Sequence, residues 1–152
     1  MVQTKQTTNN DGVYELDVKV RRIRDGPTPS LTCAEETARC FADLAEWDRE
    51  VFCVACLDPR SRLIARQTAF IGMTDGVCLS PREILRTALL TTATSIIVVH
   101  NHPSGDPSPS PEDVHATEEL AKACEVVGLA LLDHVIVGHD GAYWSWASSE
   151  RE

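Results

Sequence analysis

SIIVVHNHPSGDPSPSPED, residues 95–113, carries a strand, a turn-rich loop and a helix start in direct succession. The apolar run Ile96–Val99 reads as the middle of a strand over Ser95–His102, central in its sheet and covered on both faces. Pro103 holds His102 in extended geometry. Ser104–Pro109 is rich in Pro, Gly, Ser and Asp and can fold the chain back. Ser110 is a helix-capping residue type, Pro111 suits the first helical position, and Asp113 falls in the first turn of a helix predicted over 111–127.

Side chains alternate along a strand, so Ile96, Val98, His100 and His102 share one face while Ile97, Val99 and Asn101 share the other. Two imidazoles two residues apart, about 7 Å at their α-carbons, can converge on one ion. A carboxylate at Asp113, returned by the loop, can face the same strand end. Two histidines and one carboxylate with a fourth position left for water form a catalytic rather than a structural zinc set. Each part alone is weak: Ser110-x-x-Asp113 is a helix-cap pattern, and Ser80-x-x-Glu83 has the same form with no histidine nearby. The combination at one strand end is what points to a metal.

Outward from this stretch, Tyr14, Leu16, Val18 and Val20 alternate with charged residues and predict a strand with one wet face. Thr32 and Glu35 have capping-box spacing, and Ala34, Ala38, Phe41 and Ala45 mark the inner face of a helix over 33–47. Glu50–Leu57 and Leu63–Ile71 read as a hairpin around Asp58–Ser61. A loop through Gly72 and Gly76 leads to a helix from Ser80-Pro81 to about Leu90. After helix 111–127 come a strand over 130–137, a tight turn at Gly138–Gly141 and a short strand at Tyr143–Ala147. The order β–α–β–β–α–β–α–β–β predicts an α/β fold, a three-layer α/β/α sandwich with a mixed sheet. Its layering is similar to that of the zinc deaminases, but their H-x-E and P-C-x-x-C motifs are absent. The letters HNH at 100–102 do not match the nuclease motif of that name, whose residues are spread over a longer stretch. Residues 1–12 are polar and read as a disordered tail, and 13–150 as a single domain.

Composition narrows the function classes. The 152 residues are 43% hydrophobic and 24% charged, as in ordinary globular proteins. Apolar runs are too short to span a bilayer, and the N-terminus lacks an export-signal pattern, so a cytoplasmic location is expected. The net charge of −9 disfavours a phosphate backbone as a direct partner. The basic cluster Lys19–Arg24 alternates with apolar residues and reads as a wet strand face. Cys53 and Cys56 lie three apart on a strand and point to opposite faces, so they cannot share a ligand. The six cysteines read as reduced, small apolar residues.

His100-x-His102 followed by seven residues, Ser110-x-x-Asp113, resembles the JAMM metalloprotease signature, also called JAB or MPN-plus. PREIL at 81–85, the stretch 100–113 and LLDHVIVG at 131–138 resemble the RadC-like branch of that family, over about residues 30–147. The chain is similar to the short, stand-alone versions. The resemblance implies a zinc hydrolase of peptide or isopeptide bonds with one Zn2+ per chain, ligated by His100, His102 and Asp113, with Ser110 beside the activated water. It also implies a general-base glutamate at the start of the strand after the first helix, where Glu50 stands. Glu46, within the helix, and Glu83, at a helix start, are its rivals. A protein or peptide substrate is implied. The RadC link to DNA repair and a non-catalytic binding module are the competing readings. Asp133-His134 reads either as a partner for a ligand histidine or as a polar pair satisfied elsewhere in the core. Trp144 and Trp146 are expected on one face of the last strand. His115 is expected in solvent, and His139, at a turn tip, has no assigned role.

Overall fold

The run Ile96–Val99 lies at the centre of the sheet. The computed structural model describes residues 26–71 and 80–150. The predicted tail 1–12, the strand over 14–20, the loop through Gly72 and Gly76, and Cys78 lie outside the described residues. Among the described residues the strands are β1 (Val51–Leu57), β2 (Leu63–Ile71), β3 (Ser95–Asn101), β4 (Ala130–Val137) and β5 (Tyr143–Ser145), ordered β2-β1-β3-β4-β5. The β3–β4 pair is parallel and the other pairs antiparallel, so the sheet is mixed.

β1 and β3 are buried along their whole length because both sheet faces are covered. On one face, helix α1 (Ala34–Cys40) and a 3-10 turn (Ala42–Glu46) place Ala38, Phe41 and Leu44 against Val51, Cys53, Ala55, Ile97 and Val99. On the other, helices α2 (Pro81–Leu90) and α3 (Pro111–Val126) place Ile84, Ala88, Leu120 and Cys124 against Phe52, Val54, Cys56, Ile96 and Val98. The result is the expected α/β/α sandwich. Cys53 and Cys56 pack into different layers, as strand alternation requires. No helix among the described residues is long and apolar enough to cross a membrane.

Several local expectations are corrected. The helix expected over 33–47 ends at Cys40 and continues as the 3-10 turn. Phe41 and Leu44 are the buried pair rather than Phe41 and Ala45, and a three-residue step is the 3-10 period. Thr32 and Glu35 form no capping box; the Thr32 N–H and hydroxyl both donate to Glu36 Oε2, at 2.7 and 2.8 Å. Ser80 makes no side-chain cap, and Glu83 turns toward Arg86 instead, at 3.6 Å. β5 ends at Ser145, whose side chain accepts from the Ser148 N–H and starts a short helix, α4 (Trp146–Ser149). Trp144 and Trp146 therefore do not share a strand face.

Two glycines bring the loop after β3 against the turn after β4. Gly105 has φ +81°, and its carbonyl accepts from the His139 N–H at 3.0 Å. The His139 ring lies where a Gly105 side chain would sit, so this residue has a structural role that the sequence did not disclose. A Cβ on Gly138 would overlap the Gly105 carbonyl oxygen. The clash is with backbone, which cannot swing aside as a side-chain end can. Gly138→Ala is expected to lower stability by about 1–3 kcal/mol in denaturant melts, and an unchanged midpoint would show that the loops separate freely.

Candidate metal centre

Three segments meet at the C-terminal end of β3. β3 directs His100 to the α2–α3 face, and His102, one residue past its end, follows on the same side. The first turn of α3 contributes Asp113, and the residue before β1 contributes Glu50. One ligand-type atom from each of Glu50, His100, His102 and Asp113 lies within 4.8 Å of every other. The Nε2 atoms of His100 and His102 are 3.0 Å apart. Asp113 Oδ1 lies 3.3 Å from His100 Nε2, and Oδ2 lies 3.3 Å from His102 Nε2. Glu50 Oε1 is 3.6 Å from His100 Nε2. Glu46 and Glu83 are not in this group. Glu46 lines a separate cavity of about 470 Å³ with Arg39, His139 and Tyr143.

Each group is held from behind. Ser110 and Asp113 form a complete capping box: the Ser110 N–H and hydroxyl donate to Asp113 Oδ2, both at 2.8 Å, and Ser110 Oγ accepts from the Asp113 N–H at 3.1 Å. Cap and ligand-type geometry thus coexist in one carboxylate. His102 Nδ1 lies 2.9 Å from the Asp106 carbonyl oxygen. A carbonyl only accepts, so Nδ1 carries a proton; in the neutral ring Nε2 is then a lone pair facing the site, and in the charged ring it donates to Asp113. His100 is fully buried, stacked on Phe52 with ring centroids 5.3 Å apart, and its Nδ1 meets His134 Nε2 at 2.8 Å.

Charge follows from this packing. Burial pushes the Asp113 carboxyl up, but its interactions with the neighbouring His100 and His102 rings and with the Ser110 N–H overcome it, and the group is held far below the usual carboxylate range. The hydrogen bond to Asp113 raises His102, against the opposing effect of burial. Burial, with the neighbouring His100 adding to it, drives His134 well below its ordinary value. The site therefore favours positive charge among the Nε2 and carboxylate atoms and a neutral ring behind them. A shared proton or a divalent cation satisfies two imidazole nitrogens this close, and the nitrogen and oxygen donors suit a cation. The donor set fits a metal.

Comparison with known proteins agrees. Residues 31–151 match the RadC-like JAB domain. The chain belongs to that family. A UPF0758 protein of Thermotoga maritima is 37% identical over 129 residues, 85% of this chain and 58% of the relative. One from Shouchella clausii is 38% identical over 86% of this chain and 57% of its own length. One from Desulforamulus reducens is 44% identical over 71% of this chain and 48% of its own length. The chain thus spans between about half and three-fifths of the length of these RadC-like relatives.

In this RadC-like domain the Asp133-His134 pair divides between the two readings given it, and Asn101 is a contribution the sequence reading did not find. Both residues of Asp133-His134 are buried, on opposite sheet faces, because both faces are covered. His134 is the one that meets His100. Asp133 instead accepts from its neighbour's N–H, the Ser145 hydroxyl and the Ala147 N–H, and so anchors the β5–α4 junction. Asn101 has no exposed surface. Its Oδ1 accepts from the Val51 N–H at 2.8 Å, and its Nδ2 donates to the Arg49 carbonyl at 3.1 Å. The side chain grips the backbone on both sides of Glu50 and fixes where that carboxylate emerges. An asparagine on the apolar face of a central strand was the available signal. Asn101→Leu leaves the buried Val51 N–H without its acceptor and is expected to cost about 1–3 kcal/mol. Equilibrium unfolding checks this; a loss below a few tenths would mean that the pairing is dispensable.

Proposed function

We propose that this domain is a zinc-dependent hydrolase of amide bonds, peptide or isopeptide. The observation that carries the reading is the convergence of Glu50, His100, His102 and Asp113, with the His102 lone pair turned inward by the Asp106 carbonyl. His100, His102 and Asp113 would hold one zinc ion per chain. When bound, zinc supplies a Lewis acid that makes water nucleophilic at neutral pH.

The chain's own residues divide the remaining work. Glu50 is a third exposed and stands outside the capping network, so its Oε1 is free to exchange protons. It takes a proton from the attacking water and returns it to the leaving amine nitrogen. The Ser110 hydroxyl, now donated to Asp113, is placed to donate instead to the oxygen of the attacked carbonyl as negative charge builds there. Asn101 keeps Glu50 in register with both. The net charge of −9 favours a polypeptide over a nucleic acid as substrate.

Protein purified without added metal is expected to carry one equivalent of zinc by elemental analysis, lost in His102→Ala and in Asp113→Asn. Glu50→Gln is expected to retain the zinc while hydrolysis of fluorogenic peptide and lysine-isopeptide substrates falls by about 100- to 10,000-fold. A Glu50→Gln variant as active as the parent would remove Glu50 from the mechanism. A parent that takes up no zinc would end the reading.

A further inference from the structure

We propose that Thr117 and His134 form a positioning pair that fixes the tautomer of His100 and turns its Nε2 lone pair into the site. The inference rests on the reading of His100 as a metal ligand, but its central claim concerns the protein alone.

The direction of each hydrogen bond follows from the one before it. Thr117, one helical turn after Asp113 on α3, donates its hydroxyl proton to the Asp113 carbonyl oxygen at 2.6 Å. A hydroxyl has a single proton, so toward His134 it can only accept. Thr117 Oγ1 lies 2.5 Å from His134 Nδ1, and the proton in that bond belongs to the ring nitrogen. His134 is fully buried between the edges of Phe52 and Trp144, and among the described residues its ring nitrogens hydrogen-bond to Thr117 and His100 alone. With no carboxylate bonded to it, the ring is neutral and Nε2 is a bare acceptor. His100 Nδ1 must then donate to it across 2.8 Å. His100 Nε2 is left without hydrogen, pointing at His102 and Asp113.

Hydrogen bonds run from the Asp113 backbone carbonyl through Thr117 and His134 to His100, and the bare His100 Nε2 comes within 3.3 Å of the Asp113 carboxylate with no proton between them. The first turn of α3 and the end of β3 are thereby set against each other through a residue of β4. Thr117 has an ordinary alternative reading, since mid-helix threonines often bond the carbonyl four residues back. That reading does not account for the second bond to a buried ring, nor for a chain of donors that ends on a ligand-type atom.

Nitrogen-15 spectra of the imidazoles test the pair in the full chain without metal, above the pH range in which free imidazole titrates. In the parent protein His100 and His134 are both expected to carry their proton on Nδ1. Thr117→Val keeps the shape and removes the acceptor. His134 then moves its proton to Nε2, His100 follows with its proton on Nε2, and zinc affinity measured against a competing chelator falls about 10- to 100-fold. Thr117→Ser restores both the spectrum and the affinity. His100 protonated on Nε2 in the parent overturns the proposal, as does a Thr117→Val protein with unchanged ring protons and unchanged zinc affinity. Should the valine variant fail to fold, the parent spectrum still decides. Ring protons as stated in a parent that binds no zinc would sink the hydrolase reading and leave the positioning pair standing; zinc binding with His100 protonated on Nε2 would do the reverse.

Discussion

A histidine with no exposed surface at the centre of a sheet has to find partners for both ring nitrogens, and much of the site follows from that requirement. Unpaired, each buried polar atom would cost on the order of 1–3 kcal/mol. His100 meets the demand on one side with His134 and on the other with the cluster of Asp113, His102 and Glu50. The first partnership obliges β4 to carry a polar residue in its apolar stretch, and His134 in turn obliges α3 to offer Thr117. Aromatic rings from β1 and β5 close around the pair and keep water out. Each polar side chain in this layer is thus explained by the one before it.

β3 does two jobs with its two faces. His100 faces α2 and α3 and joins the donor cluster. Asn101 faces the opposite layer and takes hold of the backbone at the start of β1. The pairing of Phe52 with His100 sets the register of β1 against β3, and that register places Glu50 beyond the last pair, next to the imidazoles. A slip of one residue would reverse every side chain on β1 and bury Glu50's neighbours on the wrong side.

Much of this was legible in the chain. Hydrophobic period and capping chemistry located β1, β2, β3, β4, α2 and α3 to within a residue or two, because those elements are long or strongly punctuated. The spacing of His100, His102 and Asp113 was readable because a strand and a helix start have fixed directions. What was less legible depends on tertiary neighbours. The change from α to 3-10 geometry after Cys40 follows from which residue, Leu44 or Ala45, the sheet accepts. The end of β5 follows from Ser145 finding Asp133, twelve residues away. Asn101 and Thr117 look like ordinary polar residues until the elements beside them are in place, and no local pattern announces a bond to a segment fifty residues away, as Asn101 makes to Arg49.

The contact of Gly105 with Gly138 and His139 joins two surface turns that would otherwise vary at will. The first turn carries the Asp106 carbonyl that orients His102; the second carries nothing chemical. Residues added to either turn without a matching change in the other would lift that carbonyl from the ring and release the proton it holds in place. Lengths at these two turns should therefore drift together among descendants of this chain, although neither segment is itself a ligand and they stand more than thirty positions apart in sequence.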